Sequence, residues 1–346
     1  MGMILAYLLP AQISAYGGRC ALRAIIIKTP GTKIRVRKGV VVVENDNGRI
    51  EVTPANCDVL IAVTARFTVT GMALRYLMRQ GIDFVVMDKR GEPLGRFFPL
   101  VINKTIAARR AQYLAMFDGR GYRGVLKVIE CKLRNQAAVL KYFAKSRRSE
   151  ILREEAYIIE RITDEFASKI PDLTPQEVLE YEAWVARRYW STLASLLPEE
   201  LGFIGRKQEG TDPFNMALNY GYGILYYAVE RALLLVGLDP YGGYLHKDKS
   251  GKQTLVFDFI EQFRPVAVDK PLVANACRIP LSVVHGVLSY ETRSKIAEVV
   301  VRTLNTHHMY HGKSIPLEHI ILREAHAFAR YLRGSLEEYE GYRAWW

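Results

Sequence analysis

The 346-residue chain contains only four cysteines, far apart and without a C-x-x-C pair: Cys20, Cys57, Cys131 and Cys277. A disulfide framework or a cysteine zinc site is therefore not expected, and a reducing cytoplasm fits this composition. Long hydrophobic runs are also missing. The stretch from Met3 to Leu9 is short and lacks a basic flank, and Glu230-Arg231 interrupts the apolar run from Gly223 to Leu238. We expect neither a membrane span nor a signal peptide.

Signatures of several enzyme classes are missing as well. No G-x-S-x-G elbow occurs, which argues against an α/β-hydrolase. Gly251 and Lys252 resemble the end of a P-loop, but Gln253 stands where Ser or Thr is needed, so a nucleotide-phosphate cradle is not expected. His307 and His311 have the spacing of a metal-binding pair on a helix. No H-E-x-x-H motif accompanies them, which disfavours a catalytic zinc site.

The formal net charge of +12 is distributed unevenly along the chain. Residues 1–100 carry +7, residues 101–150 carry +9, and residues 151–346 carry −4. The two basic segments predict a surface for an acidic partner, and nucleic acid is the partner that such a surface favours. The acidic remainder would hold phosphate only if metal ions neutralised part of its charge.

Residues 1–98 have the pattern of a small β-rich domain. Short β-branched runs alternate with turn residues such as Pro30-Gly31 and Asp46-Asn47-Gly48. One helix is predicted over Gly71–Gln80, because its apolar residues recur at helical spacing. The predicted strands are Ala24–Ile27, Ile34–Val36, Val40–Glu44, Val59–Ala62 and Phe84–Met87.

Residues 99–346 have a helical pattern, and we predict a larger, all-α C-terminal domain. In the first long helix Val125, Ile129 and Leu133 form one apolar stripe, with basic residues elsewhere. Prolines separate the later helices. The predicted helices are Arg120–Lys145, Ser149–Ile170, Pro175–Leu197, Phe214–Val236, Arg293–Asn305 and Pro316–Arg333. The expected fold class is therefore α+β, with domains at residues 1–98 and 99–346.

The first residues that bear on chemistry lie on the helix that begins at Pro175. Glu182, Ala186 and Tyr189 share one face of it, because four and three residues separate them. A carboxylate on a face otherwise made of Ala, Tyr and Trp should be partly buried. The alternative is a solvated glutamate, and this helix taken alone favours that alternative, since charged helix residues are usually exposed.

The second group runs from Gly237 to Pro265. His246 follows a helix-breaking turn, where an imidazole can point into a cleft, and Asp258 and Glu261 share one face of a short apolar helix. Two carboxylates and one histidine suit Mn²⁺ or Mg²⁺ and leave positions for water and phosphate oxygens, as metal-assisted phosphodiester chemistry requires. The alternative is a helix N-terminus that carries acids because of its dipole.

The third group opens a long helix. Asp212 precedes Pro213, so Asp212 is predicted to cap the helix and Pro213 to take its first position. Asn219, Tyr220 and Tyr222 follow, and the tyrosines could stack on bases or bind phosphates. Capping plus an aromatic core is the alternative.

Together these groups resemble the motifs of the Cas1 family, the CRISPR adaptation integrases, over nearly the whole chain. The family pattern E-G-x-x-A-R-x-Y-W/F is matched from Glu182 to Trp190, with Ala183 in place of Gly. The pattern D-P-x-N-x-x-L-N-x-G-Y is matched from Asp212 to Tyr222. The pattern G-L-D-P-x-x-G-x-L-H, a basic loop and D-x-x-E/D-x-F-R-P are matched from Gly237 to Pro265.

The resemblance implies that Glu182, His246 and Glu261 bind a Mg²⁺ or Mn²⁺ ion. Asp258 matches the family's accompanying acid, with a part in the metal site or in proton handling, so it joins those three as an implied catalytic residue. Further residues are candidates for nucleic-acid contact, several of them from charge rather than motif. They are Arg187, Asn219, Tyr220, Lys247, Lys249, Lys252 and Arg264.

The resemblance also implies a homodimer paired partly through the small domains, and two such dimers bridged by the small partner Cas2. The expected activity is metal-dependent: a prespacer 3′-hydroxyl attacks a repeat phosphodiester, or water attacks in endonuclease cleavage. Two alternatives stay open. A non-catalytic nucleic-acid-binding scaffold would leave the acids and the histidine unexplained, and a related transposase-type nuclease would be expected to carry an additional DNA-binding domain. A tyrosine recombinase is disfavoured, because no R-H-x-x-R signature occurs.

Overall fold

The computed structural model describes residues 24–88, 93–97, 106–246 and 251–345. Its N-terminal part contains eight strands and one helix: β1 (Ala24–Ile27), β2 (Thr32–Arg37), β3 (Val40–Asn45), β4 (Gly48–Val52), β5 (Val59–Ala62), β6 (Phe67–Val69), α1 (Gly71–Gln80), β7 (Asp83–Met87) and β8 (Pro93–Phe97). One sheet has the order β1-β5-β7-β8, parallel except for β8. The other has the order β4-β3-β2-β6.

Local sequence accounts for most of these elements. Along β2, Ile34 is buried whereas Lys33 is exposed, as expected for a strand with one face on a core. The α1 helix begins where the Thr70 hydroxyl accepts the Ala73 N–H at 3.2 Å, and it ends at Gly81 with a left-handed φ of 69°. The five predicted strands and the predicted helix are confirmed. Strands β4, β6 and β8 were not predicted, since they are short or interrupted by charged residues and glycine.

The strand β5 is buried on both faces. Leu60 and Ala62 contribute to the core beneath α1, whereas Val59 and Ile61 contribute to the core of the helical part. The first sheet therefore lies between two hydrophobic cores and contributes side chains to both. The boundary predicted between residues 98 and 99 falls outside the described residues and stays a prediction.

The rest of the chain is mainly helical, which confirms the α+β class. The helices are α2 (Ile106–Leu114), α3 (Arg120–Arg147), α4 (Glu150–Ser168), α5 (Pro175–Ala194), α6 (Pro213–Leu235), α7 (Thr254–Ile260), α8 (Lys270–Asn275), α9 (Tyr290–Asn305) and α10 (Leu317–Leu332). The central helix α6 packs against α7, α9 and α10, while α3 packs against α4 and α5. Within the described ranges, no helix is long and apolar enough to span a bilayer.

Two short hairpins interrupt this helical part. Strands β9 (Val283–Val284) and β10 (Val287–Leu288) form one, and β11 (His307–Tyr310) and β12 (Lys313–Pro316) form the other. His311 and Gly312 both have positive φ, 45° and 74°, which is the geometry of a tight two-residue hairpin turn. The histidine spacing that suggested a helix thus belongs to a strand and its turn.

Buried polar pairs join α6 to the first sheet. The Tyr227 hydroxyl and the Arg231 guanidinium donate to the Asp83 carboxylate at 2.6 Å and 3.1 Å. Arg96 of β8 donates to Glu230 at 2.9 Å. The two charged residues that break the apolar run in the sequence are therefore the ones that dock this helix on the sheet.

Candidate metal centre

Glu182 projects from the middle of α5. A capping box between Thr174 and Glu177, with Pro175 in the first turn, fixes the start of this helix. Tyr189, on the same face, is fully buried, and the Glu182 side chain is only 16% exposed. The partial burial expected from the apolar face is confirmed, and the solvated alternative is wrong.

A lysine that the sequence did not single out lies beside Glu182. The Nζ of Lys132, on α3, is 2.6 Å from Glu182 Oε1 and 2.7 Å from Glu261 Oε2. Glu261 is the residue at which α7 ends, so one ammonium joins carboxylates from two different helices. Burial would lower the pKa of Lys132, but the two carboxylates outweigh burial and raise that pKa above its ordinary value.

His246 is held by Asp258. The imidazole Nδ1 lies 2.6 Å from Asp258 Oδ1, and the same carboxylate accepts the backbone N–H groups of Tyr244, Leu245 and His246. Asp258 is fully buried, whereas the His246 side chain is 46% exposed. A carboxylate on one imidazole nitrogen turns the other nitrogen outward, as in metal sites that use histidine.

The charges around His246 show which groups surround it. The hydrogen bond with Asp258 raises the pKa of His246, and Glu261 and Glu182 raise it further through their negative charge. Asp258 thus has the largest effect on this imidazole, and the two predicted acidic ligands have smaller ones. The contacts join these residues in two pairs: Lys132 links Glu182 to Glu261, and Asp258, one helical turn before Glu261, holds His246.

Arg264 and Tyr222 form the side of the site next to Glu261. Arg264 is 2.5 Å from Glu261 Oε1, and its guanidinium lies over the Tyr222 ring at 4.8 Å. Burial would raise the pKa of Glu261, but Arg264 and Lys132 hold it well below its ordinary value. Tyr222 donates to Asp269 at 2.6 Å, so its hydroxyl is already used inside the protein.

The residues present fit a divalent cation, with one rearrangement. In the part of the chain that the structure describes, no three His, Cys, Asp or Glu side chains are close enough together to hold a metal ion as they are placed. The Lys132 ammonium fills the gap between Glu182 and Glu261 and acts as a stand-in positive charge. Two carboxylates and an oriented imidazole are donors that Mn²⁺ accepts and, for the carboxylates, that Mg²⁺ prefers.

The residues suggested for nucleic-acid contact differ in their burial and in their hydrogen bonds. Tyr220 is fully buried in the helical core, so the suggestion that it contacts nucleic acid is wrong. The Asn219 amide bonds Arg206 and the Gln208 carbonyl, which gives it a role in holding the preceding loop. Arg187 and Lys252 are exposed, and their contact with phosphate stays a prediction. Lys247 and Lys249 lie outside the described residues.

A sequence signal for Lys132 existed but was weak. Lys132, Asn135 and Gln136 are polar residues at helical spacing on α3, and the last two are buried. Asn135 donates to the backbone carbonyls of Gln262 and Tyr342, which ties α3 to the segment after Glu261 and to the C-terminal tail. Periodicity shows such a polar stripe, but only the packing shows what it faces.

Solved structures define the class of fold. A casposase bound to an integration product matches with a TM-score of 0.77 and 23% identity, covering 92% of this chain and 92% of that one. A Cas1 protein from Thermotoga maritima matches with a TM-score of 0.70 and 18% identity, covering 90% of this chain and 97% of that one. The chain therefore has the fold of these proteins.

Sequence comparison gives the family. The family described as CRISPR associated protein Cas1 matches residues 25–280. A CRISPR-associated endonuclease Cas1 from Hyperthermus butylicus is 38% identical over 285 residues, covering 81% of this chain and 86% of its own. One from Pyrobaculum aerophilum is 38% identical over 308 residues, covering 89% and 98%. The chain belongs to the Cas1 family, which confirms the resemblance drawn from its motifs.

Proposed function

We propose that this chain is a metal-dependent DNA endonuclease and integrase that inserts prespacer DNA into a CRISPR array. The observation that carries the proposal is the convergence of Glu182, Glu261 and the Asp258-oriented His246. Carboxylates and imidazole of this kind suit a phosphodiester reaction assisted by a divalent cation. The casposase that shares this fold was captured with an integration product, which supports the same chemistry here.

In the proposed reaction, the 3′-oxygen of a prespacer strand attacks a repeat phosphorus. One phosphorus–oxygen bond forms and one breaks. The attacking 3′-hydroxyl loses its proton to solvent, the departing repeat 3′-oxygen takes one up, and the number of phosphodiesters is unchanged. Glu182, His246 and Glu261 would hold a Mg²⁺ or Mn²⁺ ion, which when bound would polarise the phosphate and activate the attacking oxygen. Asp258 keeps the imidazole in one orientation, and Arg264 places positive charge beside the acids.

DNA would be held mainly through its phosphates. Lys145, Arg147 and Arg148 are exposed where α3 turns into α4, and this turn belongs to the most basic segment of the chain. Contacts of this kind position a duplex without reading its sequence, and each one adds to the salt dependence of binding. We therefore expect binding that weakens steeply with salt.

We also propose the assembly that the family implies. Solved complexes titled Cas6-RT-Cas1–Cas2 share the fold with TM-scores of 0.70 and 0.63. They support a partnership of this chain with Cas2. The homodimer and the action on DNA in the cytoplasm are part of our proposal and follow from the family resemblance alone. Sedimentation of the chain with and without purified Cas2 tests the proposed assembly. A chain that sediments as a monomer and does not bind Cas2 would contradict it.

The catalytic proposal is tested by strand transfer onto repeat DNA with Mn²⁺. Glu182→Gln and His246→Ala should abolish both strand transfer and cleavage while DNA binding persists. Glu180→Gln is the matched control, because Glu180 is exposed on the same helix. Variants at Glu182 and His246 that react like the wild type would favour a non-catalytic scaffold. A covalent protein–DNA adduct would instead indicate a tyrosine nucleophile.

A further inference from the structure

The Lys132 ammonium lies between Glu182 and Glu261, where a bound metal ion would lie. Its ammonium touches one oxygen of Glu182 and one of Glu261, and the second Glu261 oxygen is taken by Arg264. Lys132 itself is only 17% exposed. Two carboxylates drawn this close in a largely buried place would repel each other strongly if no cation stood between them.

We propose that Lys132 is a tethered counter-ion that a divalent cation must displace, and that the released ammonium then binds a DNA phosphate. An ammonium and a divalent cation cannot both sit between the same two oxygens, because their like charges would be in contact. Metal binding to the free protein is therefore opposed by Lys132. The DNA half of this inference rests on the proposed function.

The side chain is suited to such a displacement. The described contacts of its ammonium are the two carboxylates, and its four-carbon stem is flexible. The helix beneath it is fixed, because Asn135 donates to the Gln262 and Tyr342 carbonyls at 2.7 Å and 2.9 Å. Lys132 can thus leave the acids while α3 stays in place.

DNA would change the competition between the Lys132 ammonium and the metal ion for the two carboxylates. A phosphate bound next to the metal gives the displaced ammonium a new partner, so it no longer competes for Glu182 and Glu261. Metal should therefore bind more tightly when DNA is present, and by thermodynamic reciprocity DNA should bind more tightly when metal is present. Such coupling would keep the free protein largely metal-free and inactive.

The test is a Mn²⁺ titration followed by the electron paramagnetic resonance signal of free Mn²⁺. Without DNA, Lys132→Met should bind Mn²⁺ more tightly than the wild type by a factor of about 5 to 150, the range typical of coupled sites. Lys132→Arg should bind it more weakly, because a planar guanidinium grips carboxylates more firmly. The control is Lys141→Met, since Lys141 lies on the same helix and pairs with Glu160.

A short DNA duplex added to the titration tests the second half. Duplex should tighten Mn²⁺ binding to the wild type and have a much smaller effect on Lys132→Met. Lys132→Met that binds Mn²⁺ no better than the wild type, or Lys132→Arg that binds it as well, would overturn the inference alone. A wild type that, with duplex present, still titrates like Glu182→Gln would overturn the metal site itself, and the inference with it.

Discussion

The Nδ1 atom of His246 lies 2.6 Å from Oδ1 of Asp258, and three successive backbone N–H groups leading to His246 point at the same carboxylate. One buried acid therefore fixes both the loop and the ring that it carries. Asp258 acts through His246 and is in this respect a positioning residue.

Asp258→Asn should lower metal affinity or activity by about 10- to 100-fold, the usual cost of losing such a supporting partner. The pKa of His246 should fall, because its bond to the Asp258 carboxylate is the main cause that raises it and burial lowers it. A nuclear magnetic resonance titration of the histidine ring measures this. Asp239→Asn is the control, since Asp239 also accepts a backbone N–H in this loop but does not touch His246. Equal effects of both changes would show that loop anchoring alone matters.

The N-terminal end of α3 leaves no room for a side chain at Gly121. A Cβ there would lie 2.0 Å from Cε1 of the Tyr244 ring, whose hydroxyl is tied to the Gln112 carbonyl at 2.9 Å. Gly121→Ala should therefore shift the loop that carries His246, cost about 1–3 kcal/mol of unfolding free energy and reduce activity.

Denaturant unfolding and strand transfer measured on the same preparation check the prediction about Gly121. Gly71→Ala is the matched control, because a Cβ at Gly71 meets nothing within 4 Å at the start of α1. That control should change stability by no more than about 0.5 kcal/mol. If Gly121→Ala behaves like the control, Tyr244 does not pack against α3 as closely as described, and the prediction is wrong.

Asp269 makes stability depend on pH. Burial raises the pKa of its carboxyl to about 7, although hydrogen bonds from Tyr222 and Tyr189 lower it. The folded protein therefore holds this proton more tightly than the unfolded chain, whose ordinary value is 3.8. The resulting stabilisation is complete below about pH 4 and is lost as the pH rises through 7, at up to about 1.4 kcal/mol per pH unit.

Asp269→Asn should remove that slope, because a neutral amide imitates the protonated acid. The measurement is the unfolding free energy of the variant and of the wild type at pH 5 and at pH 8. The change in free energy between the two pH values is then compared between the two proteins. The comparison is needed because His308, whose pKa burial lowers to about 4, contributes a slope of the opposite sign. Asp172→Asn, an exposed acid, is the control. Parallel pH curves for Asp269→Asn and the wild type would contradict the prediction.

Local sequence was sufficient for elements whose causes lie within a few residues. Asp212 accepts the Asn215 N–H at 2.9 Å and Pro213 opens α6, as the dipeptide predicts. The strand Val59–Ala62 and the helix Gly71–Gln80 have the predicted bounds. Caps, turns and short apolar periods depend on residues that are close together in sequence, so they can be predicted from the sequence alone.

Tertiary structure decided what each side chain faces. Tyr220 and Tyr222 are two residues apart on α6, yet one is sealed in the core and the other lies between Arg264 and Asp269. Lys132 is one of many basic residues on α3, and only the packing of α5 and α7 around it brings two acids to its ammonium. Burial and charge pairing depend on segments far apart in sequence. The acids and the histidine of the candidate site could be named from the motifs of the chain, whereas the lysine between the two glutamates could be identified only from the fold.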